Sequence, residues 1–253
     1  MKALVAQTQA ELTLFWRDKT VVFFSLILPV FTVALFGYLN RGGQVSVVGG
    51  GRQSAVSYAS FVIAGGIGMV VSSAAFENLG TALARQRDVG IMKRLRGTPM
   101  RTLTLVTAKV LTASTVILAQ VVVMITANIV LFRAEVRGNP LWALAVLIVG
   151  VVTFSVMGIA LAGVCRNADV ASAAGMAIAL PMQFLCGTLF PLDGMPVLLR
   201  RIASVLPLTY FVRALRGAML TGSGPEVYAR DWAILLGCLV AASLIAVKTF
   251  RWD

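Results

Sequence analysis

The chain has 253 residues, of which 58% are hydrophobic and 13% charged, and its mean hydropathy is +0.89. Soluble domains carry about 25% charged residues, so this composition excludes an ordinary soluble globular protein and points to a membrane. The net charge of +12 would indicate nucleic acid in a soluble chain, but here the cations lie between apolar runs, where topology and anionic lipid headgroups account for them and no nucleic-acid partner is expected.

Residues 1 to 19 place Leu4, Val5, Leu12, Phe15 and Trp16 on one arc at helical spacing, with Lys2, Gln7, Glu11, Arg17 and Asp18 outside it. This predicts an amphipathic helix on the inner membrane face rather than a cleaved signal, since no A-x-A site follows the first apolar run. A helical span needs about 20 apolar residues. On that ruler six spans are expected, at about 20–39, 54–76, 110–132, 141–164, 170–190 and 232–247. The connection 40–52 is rich in glycine and reads as flexible; 133–140 and 165–169 read as short turns. Segment 191–231 is long and neither fully apolar nor plainly a loop. Leu198, Leu199, Ile202, Val205 and Leu206 form one apolar face, and Tyr210, Phe211, Ala214, Leu215 and Ala218 form another. Two short amphipathic or re-entrant helices on the outer face are expected there. The expected fold is therefore an all-α membrane protein, read as a single transmembrane domain over 1–253.

Between spans 2 and 3, residues 84–101 hold six cations and one acid, Asp88. Burying six cations would cost roughly 15–20 kcal/mol, so the segment belongs in water or at headgroups. With both termini cytoplasmic, the inside carries thirteen Lys and Arg and the outside nine. The bias is strongest over the first three spans, with ten inside and two outside. Arg outnumbers Lys 17 to 5, an association with GC-rich bacterial genomes. The expected location is the bacterial inner or plasma membrane.

The chain has no GxxxxGK[ST], no histidine, and three widely spaced cysteines without a CxxC. No catalytic residue, metal site or bound cofactor is expected. The acids Glu77, Asp169 and Asp231 fall at span edges, so no mid-membrane carboxylate offers ion coupling. Energy for uphill movement must then arrive from a partner on the cytoplasmic face. Residues 77–95 read as a short helix with an apolar set of Leu79, Leu83, Ile91, Met92 and Leu95, weakened at Gly90 and ended by Gly97-Thr98-Pro99. From pattern alone two readings stay open: a helix docking into a protein groove, or a solvated loop that satisfies topology and binds anionic lipid.

Two stretches carry a resemblance. RQRDVGIMKRLRGTPM (85–100) and CGTLFPLDGMPVLLRRIASVLPLTYFVRALRGAML (186–220) resemble the span 2–3 loop and the span 5–6 signature of bacterial ABC-2-type transporter permeases. The resemblance implies a separate cytoplasmic ATPase that binds ATP and Mg, and a second permease in a homo- or heterodimer. By position it assigns ATPase coupling to Arg85, Arg87, Asp88, Gly90, Lys93, Arg94 and Leu95. The loop departs from the pattern at Asp88-Val89-Gly90, where a Glu and a Gly-Thr are common. The resemblance also implies a translocation path lined by spans 2 and 5, here Phe61, Gly66, Met69, Ser73, Gly175, Met176, Met182, Gln183 and Phe184. The small residues of both spans suit close helix approach in lipid. An outer gate is expected at Phe190, Pro191, Pro207 and Tyr210. The implied function is the membrane subunit of an ATP-driven exporter of hydrophobic or amphiphilic small molecules such as antibiotics. The alternatives are export of a lipid or lipid-linked glycan, or a non-transporting membrane scaffold or sensor.

Overall fold

The computed structural model describes residues 2–40, 42–49, 52–91, 102–134, 137–222, 224 and 226–249. Nine helices and one hairpin make up the described chain. Helix α1 (Lys2–Arg17) leads into α2 (Lys19–Leu39), and strands β1 (Gln44–Gly49) and β2 (Arg52–Ser57) follow. Helix α3 runs Tyr58–Asp88, α4 Thr102–Phe132, α5 Pro140–Val164 and α6 Ala168–Leu185. Then come α7 (Val197–Ala203), α8 (Pro207–Arg216) and α9 (Ala229–Thr249). Helices α2 to α6 and α9 each contain a stretch long and apolar enough to cross a membrane, as expected from the apolar runs.

Helix α3 is the central element. Its most apolar window is 83% buried, against 11% for the windows of α2 and α9, which lie at the periphery. Phe61, Val62, Ile63, Ile67, Val70 and Phe76 on α3 join Val33 of α2, Met124 of α4, Phe154 of α5 and Phe211 of α8 in one core cluster. Helix packing in lipid depends on close contact rather than on a hydrophobic drive. Helices α3 and α5 approach backbone to backbone, and a Cβ on Gly158 would lie 2.6 Å from the Phe76 carbonyl oxygen.

The structure corrects several of the expected boundaries. Span 2 does not begin at 54, because residues 52–57 pair with 44–49 as an antiparallel hairpin, Gln44 opposite Ser57 and Gly49 opposite Arg52. The connection read as flexible thus contains a strand. Alternating Val45 and Val47 supply its β preference, Val47 is buried in the core, and the two residues between the strands are glycines by sequence. Ser57 then caps α3, its hydroxyl accepting from the Ser60 amide at 3.2 Å.

Secondly, residues 77–88 are not a separate helix under the membrane. They continue α3 through a π turn at Ser72–Asn78, so one rod reaches from the hairpin to the charged segment. Thirdly, span 5 ends at Leu185 rather than 190, and Cys186–Phe190 folds back as a turn with Gly187 at φ +72°. Lastly, α4 and α9 extend past the expected 110–132 and 232–247 at one or both ends.

The outer helices form as expected, and α8 is re-entrant within the protein. Leu208, Tyr210, Phe211, Val212 and Leu215 are all buried, packed among α3, α5 and α9. A second π turn, Gly217–Thr221, extends it. The carbonyls of Ala218 and Met219 accept from the amides of Asn139 and Gly138 at 2.9 and 2.8 Å, which ties the α4–α5 link to the outer helices.

Candidate coupling site and membrane cavity

The last turn of α3 grips the link between α5 and α6. Helix α5 ends at Val164 and α6 starts at Ala168, so four terminal carbonyls and four terminal amides lie close together. Arg87 donates from Nη1 to the Ala162 carbonyl at 2.7 Å and from Nη2 to those of Cys165 and Arg166 at 2.7 and 3.0 Å. Asp88 Oδ2 accepts from the Ala168 amide at 2.6 Å. Cation therefore meets a helix C-terminus and anion a helix N-terminus, each on the favourable side of the helix dipole. Asn167 completes the start of α6 by accepting from the Val170 amide at 2.9 Å.

Beyond this latch the chain turns at Gly90, whose φ of +72° favours glycine. Arg85 is exposed on the same helix. Lys93, Arg94 and Leu95, also assigned to coupling, lie outside the described residues. Arg87 and Asp88, which the resemblance assigns to ATPase coupling, have side chains engaged inside this subunit.

Cys165 reports on the latch. Its side chain is 8% exposed, and burial pushes its thiol up while the Arg87 guanidinium opposes that shift. In a C186A/C238A background, maleimide should label Cys165 slowly. Arg87→Ala should speed labelling severalfold, because opening the link outweighs loss of the neighbouring cation; an unchanged rate would mean that the link stays shut without Arg87.

Beside the latch, α1, α2, α3, α4 and α6 line an open cavity of about 680 Å³. Lys109 of α4 is 4% exposed, and its Nζ lies 2.6 Å from Glu11 Oε1, pinning α1 over the cavity. The π turn of α3 shifts the helix register and brings Glu77 into the wall, where Gln120 of α4 and Met176 of α6 also face the space. Glu77 reads in sequence only as an acid at a span edge. Its place in a cavity follows from α3 continuing beyond the apolar run, for which the sequence carries no local signal.

The residues assigned to a translocation path differ in their burial. Phe61, Gly66 and Met182 are buried inside the subunit, and a Cβ on Gly66 would lie 2.3 Å from Val33 of α2. Gly175 is also buried, and a Cβ there would lie 3.3 Å from Glu77. Met69, Ser73 and Gln183 are half-buried, while Met176 and Phe184 of α6 are exposed.

At the end of α3 opposite the latch, Phe190 meets Phe36 edge-on at 5.6 Å. Pro191 borders a cavity of about 210 Å³, Pro207 starts α8, and the Tyr210 hydroxyl donates to the Ser204 carbonyl. Phe61 belongs to this end, because the Arg216 guanidinium lies 3.6 Å from its ring centre and donates to the Gly187 carbonyl at 2.8 Å. Arg213 forms a two-pronged pair with Asp231, which is 2% exposed in the first turn of α9. Asp231→Ala should cost about 1.5–3 kcal/mol, the range for a hydrogen bond to a charged group. Thermal unfolding of the purified protein checks this; an unchanged midpoint would show that the pair contributes nothing to stability.

Six spanning helices, an amphipathic helix ahead of them and a re-entrant helix ahead of the last define a multi-pass helical membrane protein. The chain matches the ABC-2 type transporter family over residues 2–220 and belongs to it, as the membrane permease component. It is 28% identical to Nodulation protein J of Rhizobium leguminosarum bv. viciae over 190 residues, 74% of this chain and 71% of that one. It is 26% identical to Inner membrane transport permease YhhJ of Escherichia coli (strain K12) over 177 residues, 68% of this chain and 46% of that one. It is also 23% identical to Probable multidrug ABC transporter permease YbhS of the same organism over 193 residues, 76% of this chain and 51% of that one. The match spans about half the length of the two Escherichia coli relatives.

Proposed function

We propose that the chain is the membrane subunit of an ATP-driven exporter of hydrophobic or amphiphilic small molecules, antibiotics among them. It sits in a bacterial inner membrane with both termini cytoplasmic. It works with a cytoplasmic ATPase and a second permease. The observation that carries this reading is that α3 connects the cavity to the latch. Its π turn walls the cavity, and its last turn holds the α5–α6 link. A displacement of the segment after Gly90 by a closing ATPase would travel along α3 and pull α5 and α6 through Arg87 and Asp88. The cavity would then change shape with the nucleotide state, which is the requirement for alternating access. A volume of about 680 Å³ with mixed apolar and polar walls falls in the range that holds a drug-sized ligand. The relative named as a probable multidrug permease supports the same substrate class.

The test is transport in inside-out vesicles that contain the chain with its ATPase. ATP should drive accumulation of a fluorescent amphiphile in the lumen. An assembled complex that hydrolyses ATP, yet accumulates none across a panel of neutral, cationic and anionic amphiphiles, would overturn the reading.

A further inference from the structure

The cavity beside the π turn has a chemical bias that the exporter reading does not explain. Two of its charged groups, Glu11 and Lys109, neutralise each other at 2.6 Å. Glu77 is different: among the described residues no hydrogen bond or ion pair reaches its carboxylate, although the side chain is partly buried. Gln120, 4% exposed, donates from Nε2 to the Ser25 carbonyl at 3.2 Å, which fixes the orientation of its amide. Its Oε1 is thereby left as a buried acceptor without a donor, and the Thr81 hydroxyl, also in the wall, is buried without a partner. A buried acceptor with no donor costs about 1–3 kcal/mol, so among the described residues the site is short of N–H groups and of positive charge.

Among the described residues the remaining cation of the wall, Arg85, lies eight residues beyond Glu77 on α3, about 12 Å further along at 1.5 Å per residue. It is exposed at the end of the cavity next to the latch, too far along the helix to satisfy Glu77. Around these polar groups the wall is apolar: Leu14 and Phe15 of α1, Val116 of α4 and Met176 of α6. The geometry points to a binding site for the protonated amino group of a cationic amphiphile, with Glu77 as counter-charge, Gln120 Oε1 as an acceptor and the apolar wall against the hydrocarbon part. This deepens the exporter reading by naming a substrate class, and it rests on that reading only for the claim that the bound molecule is then moved.

Binding can be measured without ATP or partner. The full chain in lipid nanodiscs is titrated with monodansylcadaverine, a fluorescent primary amine, and with its N-acetylated neutral analogue. The amine should bind at least tenfold more tightly than the analogue. Glu77→Gln should remove that difference, Glu77→Asp should retain most of it, and Gln120→Leu should weaken the amine severalfold while leaving the analogue unchanged. Equal affinity of wild type for amine and analogue, or an amine affinity unaffected by Glu77→Gln in a variant that melts as wild type does, would overturn the assignment. Charge-selective binding without ATP-driven transport would sink the exporter reading alone. Transport without charge selectivity would sink the site alone.

Discussion

Gly158→Leu should leave almost no folded protein. Helices α3 and α5 touch backbone to backbone at this point. A Cβ on Gly158 would lie 2.6 Å from the Phe76 carbonyl oxygen and 2.8 Å from that of Ala75, and a Cβ on Gly80 would lie 2.9 Å from the Gly158 oxygen. None of these neighbours is a flexible side chain that can swing away. The contact also falls on the π turn of α3, so separating the helices would disturb the register that sets Glu77. Overpacking a well-packed core costs about 1–3 kcal/mol per site and more where backbone must move, and leucine here demands that the two central helices part. Gly158→Ala should show a smaller loss in the same direction. Size-exclusion profile and thermal midpoint of the solubilised protein measure both. By comparison Gly175→Ala meets the Glu77 side chain at 3.3 Å and the Leu161 side chain at 3.5 Å, both able to give way, and should be mild. A Gly158→Leu protein with a wild-type profile and midpoint would mean that α3 and α5 do not meet at this point.

Arg87→Glu should abolish export while leaving the ATPase attached. The substitution removes three hydrogen bonds to the end of α5 and sets a second anion beside Asp88 and against a row of carbonyls. Hydrogen bonds to a charged group contribute about 1.5–3 kcal/mol each, and an anion at a helix C-terminus is unfavourable. The α5–α6 link should therefore detach from α3. The motif reading assigned Arg87 to coupling, and a charge reversal at an outward-facing coupling residue would strip off the partner. The guanidinium instead points into the subunit, which separates transmission from attachment. We expect ATP-driven transport to fall more than tenfold with stoichiometric ATPase still bound. Loss of the ATPase from Arg87→Glu would return this residue to the docking surface.

Much of the architecture was readable from hydrophobic length alone, because a lipid bilayer leaves a helix few alternatives. The hairpin at 44–57 was not, since its glycines match both a flexible loop and a tight turn, and burial of Val47 depends on a distant part of the chain, the π turn after α8. The continuity of α3 was missed for a related reason. Composition changes near Glu77, where the apolar run stops, but the backbone has no reason to stop there: residues 79–88 are good helix formers, and a π turn does not break the rod. The residues assigned to coupling were legible as a cationic cluster, whereas the contacts of Arg87 and Asp88 with the helix ends need the α5–α6 link in place. Glu77 and Gln120 carry no sequence signal as a pair, because they sit on different helices and meet only across the cavity.

The central claim is that α3 transmits the ATPase's motion to α5 and α6 through the latch. A disulfide between cysteines introduced at Asp88 and Ala168, whose side chain and amide lie 2.6 Å apart, tests it most directly in the vesicle transport assay. Cross-linking should preserve ATP-driven transport, because the two elements move as one body. Loss of transport on oxidation, restored by reductant, would show that α3 and the α5–α6 link must separate during the cycle and would contradict the account.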